Sequence, residues 1–447
     1  MFLVLFLSFI GMMGFGAVVK YHYTGGYKYQ FLQKFVMLIA DVPENIKKII
    51  FNEETGFFGE LVPIKSIVHK NLKVFDKKLV TPSPENLILI SRHDGDLGRS
   101  IVEIRDLNTF EVLHSYKPNI REIYKKIDLS KDEFTYLKNL GLEKFYMWHP
   151  SITYDGELIF QSNSPLVKID FNSNIIWVND EDVFHHSINL DDKENIYVPS
   201  QLKPYSELVS EYVGLNDATY KYNFLDDAIN ILDKNGKILF SKSVTEILIE
   251  HGYLNRIFSQ ASHISDPIHL NDIQPVLKNT KYFKKGDVFL SLRNLSMVIL
   301  YRPSTNKIIK IIEGEFYNQH DVDILDESKI SIYNNNVIFN YKNGRKVKNN
   351  EIVIYDFETD TFSKKFEKTF ITNKIDTNTH GLVDFLKDGS AIVEDRNKGR
   401  IFYLNSKGDV VWIFNNLDSK KQIYDLWWAR LLNLEKSKKI RELIKNG

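Results

Sequence analysis

The sequence predicts an all-β protein: a six-bladed β-propeller with helical insertions, an N-terminal membrane-anchor helix and a C-terminal helix. Three observations predict it. A hairpin pattern recurs six times along the chain. Aromatic residues are abundant, with 23 Tyr and 30 Phe among 447 residues, and such side chains fit a pleated, half-buried surface. The repeat is long, about 55 residues, which is room for four strands per unit. A single β-sandwich needs no sixfold unit, and a β-helix repeats at a far shorter period.

Composition narrows the function. Basic and acidic side chains balance, 58 against 58, and there is no cysteine. The balance argues against a nucleic-acid binder, which carries a basic face. The absence of cysteine excludes a disulfide scaffold, a thiolate metal site and a cysteine nucleophile.

Taken in order, Met1 to Val19 carries no charged residue and Lys20 ends the run. At ~1.5 Å per residue, a helix of this length nearly spans a ~30 Å hydrocarbon core. A cleaved signal would begin with a basic stretch and end at small residues. Here the first is missing and bulky residues follow Val19, so an uncleaved anchor is the better reading. Residues 20–80 read as a juxtamembrane helix and connector. Residues 81–415 hold the propeller. Its hairpins are 102–116, 167–177, 229–241, 298–312, 352–366 and 401–414, each with alternating apolar residues around a turn of Asn, Asp, Gly or Ser. Further strands precede each one, beginning with 85–91 in the first blade. Helices are expected at 117–142 and 241–258. Residues 416–447 read as an amphipathic helix with Trp427 and Trp428 near its start.

Histidines fall in register on these units. His149, His186, His269, His320 and His380 each open a blade. His186 stands ten residues before Ile196 and His320 ten before Ile330, while His149 stands nine before Leu158 and His380 eleven before Ala391. Only the first blade lacks such a histidine. Innermost strands line a propeller's channel, so equivalent positions form a ring at one mouth. Five imidazoles there concentrate titratable donors and acceptors. Such a ring suits a metal, acid–base or nucleophilic work on an anionic group, or plain anion binding. No carboxylate spacing fixes a metal geometry.

Two more residues favour an oxyanion. Asn271 stands two residues after His269, on the same strand face, and Arg293 lies in the next strand of that blade. Arginine, asparagine and several histidines make a donor-rich pocket suited to a tetrahedral group such as sulfate or phosphate. A P-loop, a GxGxxG turn and a GxSxG elbow are absent from the sequence, so nucleotide and α/β-hydrolase chemistry have no support.

The segments FHHSI (184–188), HLNDI (269–273), SLRNLSMVILYRPSTNKII (291–309) and YNQHDVDIL (317–325) resemble the bacterial arylsulfotransferase family, over roughly residues 80–415. The resemblance implies a six-bladed propeller that moves a sulfuryl group between phenols without a nucleotide donor or other cofactor. It implies that His320 is the nucleophile that becomes sulfated. His269, Asn271 and Arg293 would hold the sulfuryl oxygens, and one of His185 and His186 would complete the site. The blade register favours His186. The implied partners are a small-molecule sulfate ester donor and a phenolic acceptor, with a membrane contacted through the N-terminal segment and the propeller in the periplasm. The chain departs from the family in two respects: a short connector replaces the β-rich N-terminal domain, and the family's disulfide is missing.

Overall fold

The computed structural model describes residues 11–12, 14–18, 69, 71–80, 85–131, 145–213, 224–261, 263–340 and 344–446. The chain divides into two units, 1–61 and 62–447. In the first, residues 11, 12 and 14–18 are helical. Most of the predicted anchor and of the 20–80 connector lies outside the described residues. Among the described residues no helix is long and apolar enough to cross a membrane.

The second unit is a six-bladed propeller of antiparallel sheets. Blade 2 holds strands Trp148–Ile152, Leu158–Gln161, Leu166–Ile169 and Ile175–Asn179. Blade 3 runs from Val183 to Ser243, blade 4 from Leu270 to Ile312, and blade 5 from Val322 to Lys365. Blade 6 runs from Leu382 to Asn415 and gains a fifth strand, Phe75–Lys77, paired to Trp412–Phe414. All six predicted hairpins form the outer halves of blades. Their turns close locally. Asp233 Oδ1 accepts from the Asn235 and Lys237 N–H groups, and Gly236 takes φ +84°, a conformation open to glycine at no steric cost.

Blade 1 corrects the sequence reading. Its innermost strand is Leu426–Leu431, paired to Leu87–Asp94, which continues into Arg99–Asp106 and Val112–Tyr116. Trp427 and Trp428 therefore sit in a strand, and the propeller extends to 431, past the expected boundary at 415. The C-terminal helix is shorter than 416–447, running from Leu434 to Asn446. The run LWWARL reads as helix or strand equally well. Closure decides it, because a strand from the chain's far end pairs the exposed inner edge of blade 1. The helix then buries Ile440 against Leu87 and Leu89, and Ser437 Oγ accepts the Leu87 N–H at 3.0 Å.

Apolar cores lie between blades. Leu87, Leu89, Val102 and Ile104 of blade 1 pack with Leu158, Phe160 and Val167 of blade 2, all fully buried. Each such side chain contributes roughly 1.5–3 kcal/mol by leaving water. The helix expected over 117–142 is described only at Ile120–Tyr124, capped by Asn119 Oδ1. In the 241–258 segment the helix spans Val244–Glu250, with Ser243 as its cap.

Candidate active site

The inner strands of all six blades start at one mouth, so the residues that open them meet there. His149, His186, His269 and His380 share a left-handed backbone, with φ of 45°, 56°, 52° and 58°. Such φ values are strained for non-glycine residues, by ~1–3 kcal/mol each, and histidine is among the side chains enriched there. The ring closes through imidazole contacts. His186 lies 5.9 Å from His149, 4.9 Å from His269, 6.2 Å from His320 and 6.3 Å from His380, centroid to centroid. His380 is 5.4 Å from His320 and 5.6 Å from His149. Blade 1 fills the sixth place with Trp428, at φ 105° and 4.3 Å from His149.

Three of the imidazoles are held from behind, while His149 Nε2 and His380 Nδ1 face each other at 3.4 Å. Asp266 Oδ2 accepts from His269 Nδ1 at 2.5 Å, which leaves His269 Nε2 for the ring. His186 and His185 bond through their Nδ1 atoms at 2.7 Å. His185 Nε2 lies 3.2 Å from the Asp227 carboxylate. His186 thus faces the ring, while His185 is buried behind it and does not join it. His320 Nδ1 meets Asn335 Oδ1 at 2.8 Å, and its Nε2 accepts from the His380 N–H at 2.9 Å.

Arg293 opens a 3-10 turn after the second strand of blade 4. Its N–H donates to the His269 carbonyl at 3.1 Å, and its buried side chain donates from Nη1 to Asn294 Oδ1 at 3.0 Å, with its charge felt at His320. Asn271 is buried too. Its Nδ2 donates to the Gln319 carbonyl at 3.0 Å, tying blade 4 to the residue before His320. Any contact with an anion must use its remaining amide hydrogen. The structure therefore brings His186, His269, His320 and Arg293 to one place, with His149 and His380 beside them, and gives Asn271 a bridging bond.

Burial sets the electrostatics. It drives His186, His320 and His380 well below the ordinary histidine value, reinforced by neighbouring His185, Arg293 and Arg396 respectively. Burial lowers His149 to about 3. These four imidazoles are therefore neutral at pH 7 and keep a lone pair. Arg293 and Arg396 bring guanidinium charge to the mouth.

Three or four residues further along the inner strands, roughly 10 Å deeper at ~3.3 Å per residue, the chemistry reverses. Asp272, Asp323 and Asp384 follow His269, His320 and His380 on their strands. Burial and mutual repulsion raise Asp321 and Asp323 well above the usual carboxylate range, and burial brings Asp272 and Asp384 to about 6. Arg430, two residues after Trp428, donates to Asn189 Oδ1 and the Ile188 carbonyl at 2.8 Å. A cavity of about 230 Å³ opens here, lined in part by Asp321, Asp323, Asp384, Arg430 and Lys436. Among the described residues no group of three or more His, Asp or Glu is arranged to hold a metal ion.

Sequence reasoning missed the residues behind and beside the ring: Asp227, Asp266, Asn335, Arg396, Trp428 and Arg430. It also missed an aromatic wall. Tyr146 and Trp148 stack with 2° between planes, and Trp427 lies 4.3 Å from Tyr146. Arg396 sits 4.9 Å over Trp427, and Trp148 reaches His380 at 6.1 Å. No spacing marked Trp428, because the next strand of its blade, Leu87–Asp94, lies at the other end of the chain.

Comparison with known proteins follows this geometry. No curated protein matches the chain. Among solved structures it is similar to a protein of unknown function from Bacteroides caccae, at 12% identity over 78% of this chain and 100% of that one, with a TM-score of 0.45. TolB from Acinetobacter baumannii gives 9% identity over 78% and 67%, also at 0.45. A streptogramin B lyase gives 9% over 60% and 67%, at 0.34. Likenesses at this level carry no argument about activity. The family model described as arylsulfotransferase (ASST) matches residues 149–416, more than half of the chain, from the first ring histidine to the end of blade 6; the chain belongs to the arylsulfotransferase family.

Proposed function

We propose that the protein transfers a sulfuryl group from an aryl sulfate ester to a phenolic acceptor through a sulfohistidine at His320. The observation that carries this reading is the meeting of His320, His186, His269 and Arg293 at one channel mouth in a member of this family. A buried neutral imidazole keeps its lone pair at pH 7 and needs no base to become a nucleophile. Its Nε2 attacks sulfur, the bond from sulfur to the aryl oxygen breaks, and the phenolate leaves with that electron pair. His269, whose Nδ1 bonds Asp266 Oδ2, supplies a proton to it, and the neutral His186 beside it offers a hydrogen bond. Arg293 offsets charge on the sulfuryl oxygens, and Asn271 adds its remaining amide hydrogen. The acceptor phenol then gives up its proton to the histidine that protonated the first leaving group, attacks sulfur, and returns the electron pair of the N–S bond to Nε2. The wall of Tyr146, Trp148 and Trp427 supports an aromatic substrate. Met1–Val19 would tether the propeller to a membrane, outside the cytoplasm.

The test is p-nitrophenyl sulfate with and without added phenol. Release of p-nitrophenolate that depends on phenol, with phenyl sulfate formed, supports the transferase. Release at equal rate in water alone supports an ester hydrolase. Tight binding with no release supports a non-catalytic, anion-binding propeller.

A further inference from the structure

The His320 imidazole is held at both nitrogens, and the two contacts together determine where its proton sits. Asn335 is fully buried. Its Nδ2 donates to the Thr377 carbonyl at 3.1 Å and to the His380 carbonyl at 2.7 Å. Both acceptors are main-chain carbonyls, so the amide cannot be turned round. Its Oδ1 must therefore face His320 Nδ1, at 2.8 Å, and accept a proton from it. On the opposite edge, the His380 N–H can only donate, so Nε2 must accept. Asn335 is itself locked. Asn350 Nδ2 donates at 2.8 Å to both the Asn335 and Thr377 carbonyls, and Tyr333 Oη donates to Asn350 Oδ1 at 3.1 Å.

We propose that Asn335 is the positioning residue that fixes His320 as its Nδ1–H tautomer and so reserves the Nε2 lone pair for sulfur. This rests on the sulfohistidine reading above. The consequence reaches both half-reactions. When Nε2 bonds to sulfur and Nδ1 keeps its hydrogen, the sulfated ring carries a positive charge, and Asn335 Oδ1 accepts from that hydrogen more strongly. In the second half-reaction the group that leaves sulfur is then a neutral imidazole. Without the Nδ1 hydrogen it would be an imidazolate, a much poorer leaving group. The His380 amide that occupies the lone pair in this structure gives way to the incoming sulfur.

The experiment uses the full chain labelled with ¹⁵N-histidine, with the His320→Gln variant identifying the His320 signals. Wild type is expected to show His320 protonated at Nδ1 and unprotonated at Nε2. Single-turnover sulfation by p-nitrophenyl sulfate is then compared in wild type, Asn335→Leu and Asn335→Asp. Asn335→Leu should lose the fixed tautomer and slow sulfation by ~10–100-fold, the usual effect of removing an orienting partner, with half-saturation by the donor little changed. Asn335→Asp still accepts from Nδ1 and should recover most of the rate, whereas a purely structural role predicts that it is as damaging as Asn335→Leu. An Nε2–H tautomer in wild type overturns the inference, as does sulfation of Asn335→Leu at the wild-type rate. If wild type is never sulfated, the sulfohistidine reading fails; if it is sulfated and Asn335→Leu is unaffected, the inference alone fails.

Discussion

Two levels of one channel, about three residues apart along the same strands, carry opposite chemistry. At the mouth, His149, His186, His320 and His380 are held neutral by burial and lie among guanidinium groups. Deeper in, Asp272, Asp323 and Asp384 are held toward their neutral, protonated forms by the same burial. Burial disfavours charge of either sign, so it lowers imidazoles and raises carboxyls. The mouth therefore gains lone pairs and can receive an anion. The deeper level gains carboxylic acids, which offer no nitrogen lone pair to attack sulfur. The difference teaches which level is fit for sulfuryl transfer, and each variant below is chosen to break or sharpen it.

The largest effect is expected at the mouth. His320→Ala should slow transfer from aryl sulfates by on the order of 10⁴-fold or more, as loss of a nucleophile does, and should leave thermal unfolding nearly unchanged. Steady-state kinetics with p-nitrophenyl sulfate check this. Next comes Arg293→Lys. It keeps the charge but loses the planar fork that grips two oxygens, and it should lower the single-turnover rate by ~10²–10³-fold.

Stability tells the two levels apart through pH. Asp384 has a folded value of about 6 against an ordinary 3.8. Its folded value is raised, so its contribution is fully present below 3.8 and is lost as pH rises to about 6. Asp384→Asn, which can still accept the Leu431 N–H, removes this loss. It should stabilise the protein by ~1–3 kcal/mol at pH 7 and very little at pH 4, with transfer activity retained. Thermal melts at the two pH values decide it. The histidines run the other way. Their folded values are lowered, so stability is present above 6.5 and is lost as pH falls below it. His149→Asn should flatten this acid limb, by at most ~1.4 kcal/mol per pH unit, and should affect transfer least of the ring variants.

The two levels also differ in how far the sequence reveals them. The hairpins are legible because their turns close on themselves, as Asp233 does with Asn235 and Lys237. The ring histidines are legible because each opens an inner strand at nearly one offset. Trp428 is not, because its strand pairs with residues more than three hundred positions away, and LWWARL alternates as well as it spirals. Asp227, Asp266 and Asn335 escape for a related reason. Their meaning lies in bonds to one imidazole nitrogen, which no spacing encodes. Asn271 was legible as a neighbour of the site, but its bond to the Gln319 carbonyl was not.

The central claim is that His320 carries the sulfuryl group between donor and acceptor. The direct measurement is mass spectrometry of the protein after brief mixing with p-nitrophenyl sulfate without acceptor, followed by cleavage at mildly alkaline pH. The account predicts one added sulfuryl group on the peptide containing His320, lost when phenol is added and never formed in His320→Ala. A sulfuryl group on another histidine, or phenol-dependent turnover with no modified protein at any time, would contradict it.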